Sequence, residues 1–208
     1  MVFIFIAVLF VSCVAREHVQ ASSAPLLVMQ ATKDDYQACL DLIIANRLAY
    51  YHPLITALNE EKGTSIPLFI KEDLALPEVQ EKLLPFNKKG VEVIIAREII
   101  NGPIVGLVML EEQQRKDGNV VFMSRLNVVD GSRSKGYRQQ LFAAILDFCD
   151  RHPEAIAIES RIFINNERVL QMSQHFGFKK IRTSDCGAYA DMRLSITDLR
   201  AQLALLTE

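Results

Sequence analysis

Apolar positions along the chain follow two different periods, and together they predict an α/β fold. Runs rich in β-branched residues predict strands, because such side chains fit a pleated, half-buried surface. The predicted strands are 26–31, 91–100, 103–110, 120–129, 156–163, 178–182 and 189–196. Apolar residues that recur every three or four positions predict helices, since this spacing puts them on one helical face. The predicted helices are 35–48, 71–84, 139–151, 167–175 and 199–206.

Turn residues connect these elements into a topology. Asn101-Gly102 between two β-rich runs predicts a hairpin, because both residues accept a positive φ angle. Pro77 interrupts or restarts the second helix, and the stretch 50–66 has a mixed pattern punctuated by Pro53 and Gly63. Hairpins precede a strand–helix–strand crossover. The order therefore predicts a mixed, mostly antiparallel central sheet with helices on both faces.

The composition fits one globular domain, which we place at 25–208. The chain has 208 residues, of which 50% are apolar and 23% are charged, enough apolar material for a core. A net charge of −2 without a long basic run argues against nucleic acid as a partner, since that partner selects a positive face. The four cysteines, Cys13, Cys39, Cys149 and Cys186, have no metal-ligand spacing, so we expect no metal.

The N-terminal segment 1–24 is a separate feature. Its apolar run 2–15 is shorter than the ~20 residues of a membrane-spanning helix, but it is typical of a signal-peptide core. Val19-Gln20-Ala21 provides a small-residue cleavage site, although no basic residue precedes the apolar run. Translation from Met29 is the alternative. The first interpretation predicts export or membrane anchoring through residues 1–21, and the second predicts a cytoplasmic protein.

A short basic loop between the strand 120–129 and the helix that follows is the main candidate for binding chemistry. Free backbone N–H groups at a helix start, together with the helix dipole, favour a bound anion. A glycine in the loop lets the backbone approach that anion closely. The loop reads Arg133-Ser134-Lys135-Gly136-Tyr137-Arg138.

The stretch 126–178 resembles the GNAT-type superfamily of acyl-CoA N-acyltransferases. That family has an (Arg/Gln)-x-x-Gly-x-(Gly/Ala) loop after its fourth strand, and here Arg133 and Gly136 fit while Arg138 stands where a small residue is usual. The family also has an Asn after its fifth strand and a helix that ends in Gly-Phe. Asn166 and Gly177-Phe178 match that second motif.

The resemblance implies splayed fourth and fifth strands and acetyl-CoA as co-substrate. Backbone groups on the fourth strand would hold the pantetheine arm, as if it were an added strand. The loop N–H groups would hold the pyrophosphate, with charge-assisted contacts from the basic side chains. The implied coenzyme-binding residues are Leu126, Val128, Arg133, Ser134, Lys135, Gly136, Tyr137, Arg138 and Asn166.

The catalytic groups depart from the family. Counting back from Gly177-Phe178 puts Ser173 where the family often has a tyrosine that protonates the leaving thiolate. The strand 120–129 contains no carboxylate, whereas the family often has a basic glutamate there. General bases must then come from elsewhere or act through water. The candidates are Glu98, Glu111, Glu112, Glu159, His52 and His175, and Tyr137 and Tyr189 are alternative acids.

These expectations define three functional hypotheses. The first is an N-acetyltransferase acting on a primary amine of a small molecule, peptide or protein, with the helical region 34–88 framing the acceptor and Tyr50, Tyr51 and His52 lining it. The second is a coenzyme A-binding sensor or regulatory module with little or no turnover. The third is an exported protein whose site has another use. The acceptor and the oligomeric state are not indicated by the sequence.

Overall fold

The computed structural model describes residues 26–63, 65–66, 68, 73–129 and 137–205. Within them the chain forms one seven-stranded sheet flanked by helices. The strands are β1 (Leu27–Gln30), β2 (Val91–Arg97), β3 (Ile104–Arg115), β4 (Gly118–Val128), β5 (Ala155–Phe163), β6 (Lys179–Thr183) and β7 (Tyr189–Ser195). The helices are α1 (Tyr36–Asn46), α2 (His52–Lys62), α3 (Pro77–Leu83), α4 (Tyr137–Arg151), α5 (Glu167–His175) and α6 (Ile196–Leu205).

The sheet has the order β1-β2-β3-β4-β5-β7-β6 and is antiparallel except for the pair β4–β5. That parallel pair follows from the crossover through α4, because a parallel connection needs a long return path. The predicted mixed, mostly antiparallel sheet is confirmed.

The strands β4 and β5 separate before they end. Their pairing runs from Asn119 opposite Ala155 to Met123 opposite Ser160. Beyond that point β4 continues to Val128 and β5 to Phe163 without pairing to each other. The splay that the resemblance implied is present, and it leaves backbone groups of both strands facing a gap.

Helices cover both faces of the sheet, as predicted. Alternate residues of β3 enter two different apolar clusters, since successive side chains of a strand point to opposite faces. Val108 and Leu110 pack with α4, α5 and α6, while Leu107 and Met109 pack with α1 and α3. The sheet is therefore the middle layer of three.

The mixed pattern of 50–66 predicted no separate element, and the structure forms the helix α2 in this stretch. A π-helical turn, Arg47–Tyr51, joins α1 to α2. Pro53 lies in the first turn of α2, directly after the π-helical turn, so its missing N–H coincides with the change in helical hydrogen bonding. Gly63 ends the helix with a φ of 61°. Pro53 and Gly63, which made the sequence pattern of this helix hard to recognise, lie at its two ends.

Smaller corrections concern the ends of elements. The predicted helix 71–84 is a 3-10 turn at Asp73–Ala75 followed by α3, which begins at Pro77. The hairpin loop is longer than a two-residue turn, because β2 ends at Arg97 and β3 begins at Ile104. Asn101 has the expected positive φ, 59°.

The segment 1–24 and its cleavage site at Ala21 lie outside the described residues. Met29 lies within β1, where Leu27 and Val28 pair with Arg97 and Ala96. Among the described helices, none has the length and apolar character needed to cross a membrane.

Candidate active site

A cavity of about 740 Å³ fills the gap between the separated ends of β4 and β5. The π-helical turn and α2 border it on one side, and α5 borders it on another. Its wall is largely apolar, with a few polar groups, which is typical of a small-molecule site. Lining residues include Tyr50, Tyr51, Met109, Phe122, Leu126, Val128, Phe163, Asn166, Met172, Ser173, Phe176 and Tyr189.

A bulge in β4 lies at the wall of this cavity. Leu107 pairs with Asn127 and Met109 with Ser124, so β4 has one more residue than β3 over this interval. Arg125 in the bulge has a φ of 55°, a left-handed value that is unusual for a residue other than glycine. The Asn127 side-chain amide donates to the Arg125 carbonyl over 2.8 Å and supports this conformation. The bulge bends β4 where it leaves β5.

The structure brings together part of the predicted coenzyme site. Leu126, Val128 and Asn166 all line the cavity, with Asn166 also capping α5 by accepting from the Val169 N–H over 3.3 Å. The loop residues Arg133, Ser134, Lys135 and Gly136 lie outside the described part of the chain, and Arg138 belongs to α4. Their coenzyme contacts remain predictions.

The Tyr137 side chain does not line the cavity. It is 2% exposed, packs in the cluster beneath α4, and donates from its hydroxyl to Glu98 Oε1 over 2.5 Å. Its predicted role therefore concerns its backbone at the first position of α4, where N–H groups lack helical partners. As a candidate acid, its phenol faces Glu98 instead of the cavity.

Ser173 lines the cavity from α5 and is 9% exposed. It lies one helical turn after Val169 and one before Phe176, so these three side chains share the face that borders the gap. A hydroxyl at this place can donate a hydrogen bond to a group bound between β4 and β5. Its catalytic role is still a prediction.

Two of the candidate bases are held by other side chains. Glu159 accepts from Arg115 Nε over 3.0 Å and from Arg193 Nε over 2.9 Å, on the face of β5 away from α4. Glu112 accepts from the Asn119 amide over 2.7 Å and lies 3.2 Å from His152 Nδ1. Neither carboxylate lines the cavity.

Glu111 is the one carboxylate among the described residues that line the cavity. It lies on β3 opposite Phe122 and pairs with Lys88 Nζ over 2.5 Å. A carboxylate on the cavity wall is a candidate base that acts directly or through a water. The structure therefore separates Glu111 from the other carboxylates that the sequence suggested.

The tyrosines of the predicted acceptor wall are also placed. Tyr50 and Tyr51 line the cavity from the π-helical turn, whereas His52 does not line it. Tyr189 lines it from β7, where its ring packs 4.6 Å from that of Phe163 between centroids. Burial raises the pKa of the Tyr189 phenol, so the phenol stays protonated at neutral pH and can donate a hydrogen bond.

Sequence reasoning did not single out two arginines that line the cavity, Arg47 and Arg125. Burial lowers the pKa of both guanidinium groups, and for Arg125 the nearby charge of Arg47 lowers it further. The available signal was Arg125, the one charged residue in the strand 120–129. The π-helical turn that presents Arg47 had no recognised sequence signal, because the stretch around it has a mixed pattern.

Comparison with known proteins places the chain in a class. The model of the acetyltransferase (GNAT) domain family matches residues 78–191, more than half of the chain. The chain belongs to the GNAT acetyltransferase family. Among curated protein sequences, none is significantly similar to it.

Solved structures of the family share the fold at low sequence identity. A GNAT-family acetyltransferase from Staphylococcus aureus Mu50 has a TM-score of 0.57 at 13% identity and covers 83% of this chain and 99% of its own. Spermidine N-acetyltransferase from Vibrio cholerae, in complex with coenzyme A and spermine, has a TM-score of 0.56 at 12% identity, with coverage of 84% and 98%. Arabidopsis thaliana NAA60, in complex with acetyl-CoA, has a TM-score of 0.52 at 10% identity, with coverage of 83% and 99%.

Proposed function

We propose that this protein is an N-acetyltransferase that transfers an acetyl group from acetyl-CoA to a primary amine in a ternary complex. The observation that carries the proposal is the cavity between β4 and β5, with Leu126, Val128, Asn166 and Ser173 on its wall. Membership of the acetyltransferase family and the coenzyme-bound neighbours support it.

The free backbone edges in the gap suit an amide-bearing arm. Past Met123 and Ser160 the two strands no longer pair, so N–H and C=O groups of Leu126 and Val128 face the cavity side of β4. A pantetheine arm carries amide groups and pairs with such an edge as an added strand does. This contact would direct the thioester toward the point where β4 and β5 separate.

The reaction then needs three things from the protein. A base takes the proton from the acceptor ammonium, a donor stabilises the tetrahedral oxyanion, and an acid protonates the thiolate. We assign the first role to Glu111, directly or through a water, because it is the carboxylate on the described cavity wall. Ser173 donates a hydrogen bond to the departing thiolate, and the thiolate takes its proton from water.

A second candidate function is coenzyme A binding without turnover. Two observations favour it: Ser173 is a much weaker acid than the tyrosine common in the family, and β4 has no carboxylate. Binding of acetyl-CoA without transfer to any member of a broad amine panel would support this candidate and reject the first one.

The test uses the full chain, calorimetry with acetyl-CoA, and mass spectrometry of acetylated products from the amine panel. Arg133→Ala should weaken acetyl-CoA binding about tenfold or more, because a charge-assisted hydrogen bond contributes about 1.5–3 kcal/mol. Arg151→Ala is the matched control, since Arg151 pairs with Glu92 at the other end of α4. No binding by the wild type would overturn both candidates.

A further inference from the structure

The charged side chains on the cavity wall are mostly positive. Among its described residues four are arginines, and Glu111 is the one acid. Arg161 Nε lies 2.7 Å from Asp191 Oδ1, and Glu111 pairs with Lys88. The other arginines on this wall are Arg47, Arg125 and Arg168, of which Arg125 lies within the sheet.

Arg125 has no carboxylate partner among the described residues. Its hydrogen bond goes from Nε to the backbone carbonyl of Leu83 over 3.2 Å. Burying a guanidinium without a counter-charge costs free energy, which an anionic ligand would recover. Burial and the charge of Arg47 both lower the pKa of Arg125, so its surroundings disfavour the charged form of the guanidinium.

Both arginines reach the cavity from irregular backbone. Arg125 lies in the β4 bulge with a φ of 55°, and Arg47 opens the π-helical turn between α1 and α2. Such conformations cost free energy, and they concentrate at functional sites where they aim a side chain. Here two independent irregularities direct positive charge into one cavity.

Arg125 and the helix that follows the expected pyrophosphate loop lie on opposite faces of the sheet. Arg125 contacts Leu83 of α3, and Leu83 belongs to the cluster on the α1 and α3 face. The loop 133–138 leads into α4, which packs on the opposite face. The charge of Arg125 therefore lies on the acceptor side of the cavity, away from the face on which the coenzyme phosphates are expected.

We propose that the acceptor is a small amine that also carries an anionic oxygen group, a carboxylate or a phosphate, bound by Arg125 with Arg47 beside it. This inference rests on the proposed acetyl transfer. The planar guanidinium fork matches two oxygens of such a group, and the pairing orients the amine as well as binding it. Polyamines, which are cationic, should be rejected by the same charge.

The experiment compares matched acceptors with the full chain. Each L-amino acid is assayed against its α-carboxamide, O-phosphoethanolamine against ethanolamine, and spermidine alone, with acetylated products measured by mass spectrometry. We expect kcat/KM to favour the anionic member of a pair by at least tenfold. The amino acid comparison measures the preference for a carboxylate, and the ethanolamine comparison measures the preference for a phosphate. The two comparisons therefore distinguish the two anionic groups.

Arg125 variants separate recognition from structure, because Arg125 also binds the α3 backbone. Arg125→Gln should bring the anionic-to-neutral ratio of kcat/KM close to one, because the anionic member of each pair loses more kcat/KM than the neutral member. Arg125→Lys should keep part of the preference, and Arg200→Gln, at an exposed ion pair on α6, should keep all of it. Equal loss for both members would show a purely structural role and overturn the proposal.

A binding measurement covers the case in which no transfer occurs. In the presence of coenzyme A, N-acetylated amino acids and their amides are titrated calorimetrically into the wild type and Arg125→Gln. At least tenfold tighter binding of the acid, lost in the variant, supports the anionic subsite even if the enzyme hypothesis fails. Equal binding of acid and amide, or a preference for spermidine in the transfer assay, rejects the subsite without bearing on the proposed acetyl transfer.

Discussion

The phenol of Tyr137 donates to Glu98 Oε1 over 2.5 Å and ties the start of α4 to the segment after β2. Tyr137 belongs to the predicted pyrophosphate loop 133–138 and is also the first residue of α4. The contact joins two residues 39 positions apart in the chain. The start of α4 is thus held by tertiary structure as well as by its own helical hydrogen bonds.

Removing this hydroxyl should loosen the helix start. We expect Tyr137→Phe to lower the free energy of unfolding by about 1 kcal/mol, the usual net contribution of a hydrogen bond, and to weaken acetyl-CoA binding. Urea titration and calorimetry measure the two effects. Tyr36→Phe is the control, since Tyr36 contributes an edge-to-face ring contact with Phe86. Equal stabilities of wild type and Tyr137→Phe would contradict the anchoring role.

Ser173→Ala tests the leaving-group contact. We expect kcat to fall about tenfold with KM nearly unchanged, because a hydrogen bond to a developing thiolate acts mainly in the transition state. The control is Ser195→Ala: Ser195 accepts from the Asp198 N–H at the start of α6 and lies outside the cavity wall. That variant should lose stability but keep kcat. An unchanged kcat in Ser173→Ala would remove Ser173 from the mechanism.

Asp191 should make the fold sensitive to acid. The hydrogen bond from Arg161 lowers its pKa from the ordinary 3.8, with a further contribution from Arg182. A carboxyl whose folded pKa is lowered contributes stability above its ordinary pKa and loses it as the pH falls through the folded pKa. Urea unfolding between pH 7 and pH 2 should therefore show a decline below about pH 4.

Asp191→Asn should flatten that decline and lower stability at neutral pH, because Arg161 and Arg182 lose their counter-charge. Asp185→Asn, at an exposed position in the turn before β7, is the matched control and should keep the wild-type profile. A wild-type profile in Asp191→Asn would show that this ion pair does not govern acid stability.

The cysteines should react at very different rates. Cys186 is exposed and a hydrogen bond with Ser184 lowers its pKa, whereas burial raises the pKa of Cys39 and of Cys149 to about 12. Since the thiolate is the nucleophile, iodoacetamide should label Cys186 at least about tenfold faster than the buried pair. Peptide mapping reads the sites. Comparable rates in the native protein would refute this, and denaturant should remove the difference.

Local patterns determined most of the fold. The period-two and helical spacings predicted all seven strands and the helix Glu167–His175 with its Gly177 stop, because each depends on neighbours within a few residues. The helix α2 was missed because proline and glycine residues such as Pro53 and Gly63 are also common in loops. Local chemistry does not distinguish a breaker inside a loop from one at a helix boundary.

The candidate site divides in the same way. The sequence alone predicted the loop 133–138, Asn166 and the helix stop at Gly177-Phe178, since each motif is contiguous or nearly so, and the structure places Asn166 on the cavity wall. Only the tertiary structure decided which glutamate meets the cavity and that Arg125 turns into it. Those outcomes depend on strand register and on one bulge in β4, and a shift of one residue moves a side chain to the other face.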